Sequence, residues 1–240
     1  MGKTLGFIGD RVEAAAHVAD VIANEPVSPH LLRLVLRSDD FTTASMNPCD
    51  VTAFRTSRTD FRHYTPASLD HPAGELTIVV HRHGDAPGAR LTSGWIPGDT
   101  VRVCQWSSTR AFHWLPGTEP VVVIGDATVI GLVIGAADRA EAEGRDFRGL
   151  VEVPEADVEA TQRFAPKATV VAERGEPGAA MDEWLADHAD EVAAVDPAIV
   201  YLAGHGQSIQ RQRNFLRDHA GIDRRRIKTQ PYWATGKSGL

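Results

Sequence analysis

The chain is poor in several things, and each shortage narrows what it does. Only two of its 240 residues are cysteine, Cys49 and Cys104, too few for a disulfide framework and without metal-site spacing. Cys104 sits in the alternating segment Val101-Arg102-Val103-Cys104, which predicts a thiol in a core strand. No apolar run reaches membrane-spanning length, and the N-terminus lacks a basic segment followed by a long apolar core. A protein of the cytoplasm, without membrane or nucleic-acid partners, is the expectation. The formal charge of −7 argues against a general nucleic-acid surface, so any anionic cofactor needs a local basic patch. No Ser-His-Asp or Cys-His arrangement is legible. The ten histidines contain no His-Glu-x-x-His or paired Glu-x-x-His; His81 and His83 share a strand face but lack converging carboxylates. No metal site is expected.

What the chain does have is a change of grammar. Residues 1–16 read as a tail or a poorly packed helix. Short strands punctuated by Pro, Gly and Asp follow, at His17–Ala23, Leu31–Leu36, Glu75–His81 and Thr100–Gln105. This spacing suggests a small antiparallel barrel over 17–118. Beyond Pro116-Gly117 the run Val121–Ile124 has the continuous apolar character of a buried parallel strand. Helices over Thr128–Ala142, Ala156–Phe164, Met181–Ala193 and Ser208–His219 then alternate with strands Leu150–Val153, Thr169–Ala172, Ala198–Leu202 and Ile227–Gln230. That alternation predicts a doubly wound α/β domain over 119–240.

Arg62-His63-Tyr64-Thr65 is the most informative short segment. On extended chain the Arg and the ring share a face, with the hydroxyl beside them. A guanidinium grips phosphate as a fork, a phenol ring stacks on a flat heterocycle, and a hydroxyl bonds its polar edge. Arg and Tyr also alternate on many exposed strands, so the segment gains force only from its setting.

In that setting the chain resembles the siderophore-interacting proteins, the ferric-siderophore reductase branch of the ferredoxin-NADP reductase superfamily. The likeness runs through Pro29-His30-Leu31-Leu32-Arg33, Pro97-Gly98-Asp99 and Val151-Glu152-Val153 to Phe215-Leu216-Arg217, Gly221-Ile222 and Tyr232-Trp233-Ala234-Thr235-Gly236. It implies a flavin-binding barrel followed by a nucleotide-binding α/β domain, with FAD and NADPH or NADH as cofactors. Arg62 then meets phosphate, Tyr64 the isoalloxazine and Thr65 the flavin N5, with His81 on a flavin-adjacent strand. Gly88, Arg90 and Thr92 are candidates for the pyrophosphate. Asp126, Thr128, Arg174, Tyr232 and Trp233 are candidates for the nicotinamide cofactor, and His205 for a proton donor. Arg224, Arg225, Arg226 and Lys228, just before the aromatic tail, are candidates for an anionic ferric siderophore. A solvated turn explains the same basic run, a helix cap explains Asp126 and Thr128, and a solvated loop residue explains His205.

Five positions depart from the family pattern: Ala67, Ala89, Ala127, Gly131 and His205. The usual residues there are Arg, Ser, Glu, Pro and Glu. All five are ligand-facing in the family, which leaves a second expectation open beside the reductase: a specialised flavin enzyme on an organic substrate, or a binding or cyclisation protein without redox turnover. Substrate, choice of nicotinamide and oligomeric state are not legible.

Overall fold

A computed structural model describes residues 10–82, 86–195 and 198–236. His83 and residues 1–9 therefore lie outside it, while residues 10–14 form a short helix. The chain folds as two compact units, Met1–Thr109 and Arg110–Leu240.

The first unit is a seven-stranded antiparallel sheet. Its strands are β1 (His17–Pro26), β2 (Leu31–Arg37), β3 (Val51–Arg55), β4 (Phe61–Tyr64), β5 (Ser68–Asp70), β6 (Glu75–His81) and β7 (Thr100–Ser107), with one helix, α1 (Pro87–Ser93). The order β4-β3-β7-β1-β2-β6-β5 puts β4 and β5 at opposite ends of the sheet. Laid flat, six strand spacings would separate them by about 29 Å. Yet only three residues join Tyr64 to Ser68, a reach of about 14 Å. The sheet must curl, and a barrel results. Alternation fills it: Leu32, Leu34 and Leu36 lie opposite Val80, Ile78 and Leu76, all buried.

The second unit is a five-stranded parallel sheet. Its elements are β8 (Val121–Asp126), α2 (Ile130–Ala142), β9 (Phe147–Val153), α3 (Val158–Phe164), β10 (Ala168–Ala172), α4 (Ala179–Asp187), α5 (Ala189–Ala193), β11 (Ile199–His205), α6 (Gly206–Asp218) and β12 (Ile227–Trp233). Every residue of β8 and β11 is buried, as the apolar run predicts for central strands. The order β10-β9-β8-β11-β12 means the chain builds outward from β8, then returns to β11 on its other side. The carboxyl ends of β8 and β11 thus flank the switch point, where open parallel sheets bind ligands.

Two differences from the expected elements have local causes. The helix expected over Met181–Ala193 breaks at His188, whose φ of −117° and ψ of 26° leave the helical region. Its ring Nδ1 bonds the Trp184 carbonyl at 2.8 Å while the ring stacks on the indole at 4.1 Å. At the other end, β12 runs on through Pro231 to Trp233, which an edge strand tolerates because one side of it needs no ladder donor. Among the described residues no helix is long and apolar enough to cross a membrane, and no group of three His, Cys, Asp or Glu is placed to hold a metal. Both cysteines are buried and free.

Candidate functional site

The barrel gathers one set of the residues named above. Register places Tyr64 opposite Thr52 and Arg62 opposite Phe54, so Arg62 and Tyr64 share a face of β4. The Tyr64 ring lies 5.5 Å from Phe54 at 45°, half-buried against the barrel core. Helix α1 then closes directly over both side chains. A Cβ built on Gly88 would fall 2.4 Å from Tyr64 Oη and 3.3 Å from Arg62 Cγ, so only glycine allows this approach. Burial pushes the Tyr64 phenol up to about 12, against the opposing pulls of a Thr92 hydrogen bond and the Arg62 charge. It is neutral at physiological pH.

The individual residues differ in what they have left to offer. Among the described residues Arg62 makes a single hydrogen bond, from Nη1 to the Phe61 carbonyl at 2.9 Å, which leaves most of its donors available. Thr65, directly after β4, is buried at 6% exposure. Arg90 projects from α1 into solvent. Thr92 does not: it is fully buried, and its hydroxyl donates to the Gly88 carbonyl at 2.9 Å, so its place is inside the helix packing, away from an open phosphate. His81 ends β6 with its ring 6.5 Å from His30. Ala67 is buried, with its N–H donated to Thr77 O, and offers no substitute for a second arginine.

The second set meets at the switch point, in a different condition. Asp126, at the end of β8, is 7% exposed and accepts from the Thr128 N–H (2.9 Å), the His205 N–H (2.7 Å) and the Trp233 indole N–H (2.8 Å), and from the Thr128 hydroxyl (2.5 Å). Gly204 makes this possible. With φ of 107° it adopts a left-handed conformation, and a Cβ there would sit 2.5 Å from the Asp126 carboxylate. His205 is buried at 4%, which corrects the reading of it as a solvated loop residue. Its Nδ1 meets Ser208 Oγ at 3.1 Å, its Nε2 meets Thr235 Oγ1 at 2.9 Å, and its ring lies 4.4 Å from Trp233. Burial lowers the imidazole pKa; Asp126 pulls it up and Arg211 pushes it further down. The neutral ring therefore acts here as a joint between the β11 loop and the chain end.

Two residues not singled out from sequence complete this region. Glu152, 1% exposed near the end of β9, accepts from the backbone N–H groups of Gly178 (2.6 Å), Ala180 (2.9 Å) and Met181 (3.2 Å). A carboxylate of the chain thus fills the N-terminus of α4, a position suited to an anion. Thr235 supplies the hydroxyl to His205. Both lie in segments that carry the family likeness, Val151-Glu152-Val153 and Tyr232-Trp233-Ala234-Thr235-Gly236, but no role was assigned to either from sequence. Arg174 is exposed and, among the described residues, makes a 3.7 Å ion pair to Glu183. Tyr232 is half-buried beside Trp233 in β12.

The basic cluster is elsewhere. Arg224–Arg226 form a turn capped by Asp223, immediately before β12. Because β12 is parallel and seven residues long, they stand at the amino edge of the sheet, about 20 Å from the Tyr232-Trp233 end. Lys228, the second residue of the strand, stays near that amino edge. The four basic residues and the aromatic tail therefore stand toward opposite ends of β12. Phe112 and Trp114 also prove to be core: both pack on Tyr201 of β11, at 5.5 and 5.6 Å, within the second unit. Trp106 instead packs on Phe41 in the first.

Comparison with known proteins gives this arrangement its context. Residues 118–236 match the family model described as siderophore-interacting protein. A curated relative, the mycobactin import ATP-binding/permease protein IrtA of Mycolicibacterium smegmatis, is 27% identical over 238 residues. The match covers 94% of this chain but only 26% of that protein, so the chain spans about a quarter of its length. Among solved structures, the siderophore-interacting protein SipS from Aeromonas hydrophila is 21% identical with a TM-score of 0.68, covering 93% of this chain and 94% of that one. The siderophore-interacting protein from Acinetobacter baumannii is 15% identical with a TM-score of 0.72 and 92% coverage of both. The cytochrome P450 reductase GcoB of Amycolatopsis is 19% identical with a TM-score of 0.64, covering 92% and 70%. The two-unit fold, an antiparallel barrel followed by a parallel α/β unit, is therefore the fold of these proteins. Residues 118–236 thus match the model of the siderophore-interacting protein family, and the fold of both units is shared with solved proteins of that description.

Proposed function

We propose that this chain is a flavin-dependent reductase that uses FAD and NADPH or NADH to reduce the Fe(III) of a ferric siderophore to Fe(II). The observation that carries this reading is the Arg62–Tyr64 face of β4 with the Gly88 backbone packed against it. A guanidinium and a phenol on one strand face, with a helix backbone packed closely beside them, suit a flat ligand carrying phosphate, and the residues present fit a flavin. Arg62 would hold phosphate with donors it does not otherwise use, and the half-buried Tyr64 would orient a ring system. Thr65, next in the chain, would hold the polar edge of that ring system. When bound, a flavin supplies the ability to accept a hydride and release electrons one at a time. The protein's part is binding and positioning; Fe(II) is held less tightly than Fe(III) by hard oxygen donors, which releases the iron.

The nicotinamide side fits less well. Asp126 accepts from Thr128, His205 and Trp233, and Glu152 fills the N-terminus of α4. Of the residues assigned to that cofactor, Arg174 is the exposed one with only a long ion pair. This favours a second reading, a family member with slow or absent nicotinamide turnover that acts on an organic substrate or as a binding protein. An absorption spectrum of the purified protein, with titration of FAD and FMN, separates the two. FAD-dependent visible bands bleached by NADPH or NADH support the reductase; absence of bands after flavin addition overturns it.

A further inference from the structure

A second concave site, formed without any residue of β4 or α1, opens at the rim of the first unit. Strands β1 and β7 pair antiparallel, so His17 at the start of one lies near Trp106 at the end of the other. The connection from β2 to β3 comes up beside them. Together these segments enclose a cleft of about 550 Å³, a volume ordinary for a small-molecule site. Its apolar wall is the half-buried indole of Trp106 with the methyl groups of Ala14, Ala15, Ala16 and Ala44. The indole is fixed by its N–H, which donates to the Ser45 carbonyl at 2.5 Å, and by packing on Phe41 at 5.5 Å. Arg55 of β3 pairs with Asp10 at 2.8 Å and Glu13 at 2.6 Å, which ties the short helix over 10–14 to the barrel and holds the alanines in place.

The charge in this cleft is of one sign. Asp40 has a side chain 60% exposed; its Oδ2 meets His17 Nδ1 at 2.9 Å, and among the described residues its Oδ1 has no partner. The imidazole stands edge-on to Phe41 and Trp106, at 5.8 and 6.0 Å, so its bond to Asp40 holds the carboxylate against the aromatic wall. Among the described residues no lysine or arginine lines the cleft. A carboxylate with an open oxygen beside an indole is the chemistry that takes a positive charge on an apolar body.

We propose that this cleft binds a small organic cation, an arylalkylammonium, with its charge on Asp40 and its apolar body on Trp106 and the alanines. The proposal is independent of the flavin reading, since Arg62, Tyr64 and Gly88 take no part in the cleft.

Three probes of similar shape and different charge test it: benzylamine, benzyl alcohol and benzoate. Each is titrated into the full chain while the Trp106 indole N–H signal is followed by NMR. The chain has five tryptophans, and Trp106→Phe identifies the signal. Benzylamine should bind about tenfold tighter than benzyl alcohol, the effect of one partly solvated charge pair, and benzoate more weakly than either. Asp40→Asn keeps an acceptor for His17 and should bring benzylamine down to the level of benzyl alcohol. Ala44→Leu fills the cleft and should abolish the response to all three. No saturable shift with benzylamine, a preference for benzoate, or a benzylamine preference that survives Asp40→Asn overturns the proposal. Undiminished benzylamine binding in Ala44→Leu overturns it as well, because the amine then sits elsewhere. Asp40 is an exposed position that the fold tolerates changing, so the charge comparison decides the matter even where Ala44→Leu proves unstable.

Discussion

The barrel site and the switch-point site hold similar residues and differ in what those residues have left to bond. On β4, Arg62 makes one hydrogen bond among the described residues, and Tyr64 is packed on Phe54. At the end of β8, Asp126 accepts four hydrogen bonds from its own chain, and both ring nitrogens of His205 are engaged. Polar groups with open capacity are poised for a ligand, whereas groups satisfied internally stabilise the fold and resist a ligand that must displace them. A charged residue at the expected place in a fold is therefore weak evidence for binding until its partners are known.

The sharpest way to break this contrast is to remove Asp126. If it is an internal hub, Asp126→Ala leaves the Trp233 indole, two backbone N–H groups and a hydroxyl without their acceptor, all four at buried or half-buried positions. The second unit should lose about 3–5 kcal/mol of stability, read by urea unfolding. A variant as stable as the parent would mean the carboxylate is free for a ligand after all. The opposite signature is expected at the barrel. Arg62→Ala should leave stability unchanged and weaken FAD by about 2–3 kcal/mol, because a phosphate fork is lost and buried Ala67 cannot replace it. Unchanged flavin content after purification would reduce Arg62 to a surface residue.

Much of the fold was legible, and for a physical reason. Parallel strands buried on both faces must be continuous apolar runs, so Val121–Ile124 and Ala198–Leu202 announce themselves. Strand β3, with Thr52 and Arg55 among its five residues, carries no such run and is set by pairing with β4 and β7. The candidate residues were legible as types and much less so as a site. Whether Asp126 is free depends on Trp233 and His205, 107 and 79 residues away, and on the missing Cβ of Gly204. No local pattern encodes such distant partners. The placing of the basic cluster was not legible for a simpler reason: adjacency in sequence to Tyr232-Trp233 becomes separation in space because the intervening residues form one extended strand.

Weak dinucleotide binding is the next expected effect. NADPH and NADH should bind the second unit poorly, and flavin reduction should be slow, since a cofactor held in the wrong pose forfeits the proximity advantage. Trp233→Phe, which releases one hydrogen bond on Asp126, should strengthen NADPH binding by a few fold, roughly the effect of one weak hydrogen bond. Anaerobic stopped-flow mixing with each nicotinamide measures the rate, and fast bleaching by either one would show that the internal network yields readily to the cofactor.

The smallest effect separates the two sites by pH. Burial lowers the His205 pKa below the ordinary histidine value of about 6.5, so the unfolded chain binds this proton more readily than the folded one. Stability of the second unit should thus be complete above about pH 6.5 and fall as the pH drops through that value toward the folded pKa. The slope cannot exceed about 1.4 kcal/mol per pH unit for one proton. Asp126 on β8 opposes the shift and Arg211 on α6 reinforces it, so removing either charge should move the window in opposite directions. His205→Gln keeps a hydrogen-bonding side chain and removes the titration; its unfolding midpoint should lack the acid-side decline attributed to this residue. Tyr64, held near 12, contributes no titration in this range, so flavin affinity at the barrel should stay flat where the second unit loosens. Melting curves and FAD titrations from pH 5 to 8, ~0.5 unit apart, resolve the two responses. A decline that persists unchanged in His205→Gln would assign the acid sensitivity to another group and remove His205 from the joint between β11 and the chain end.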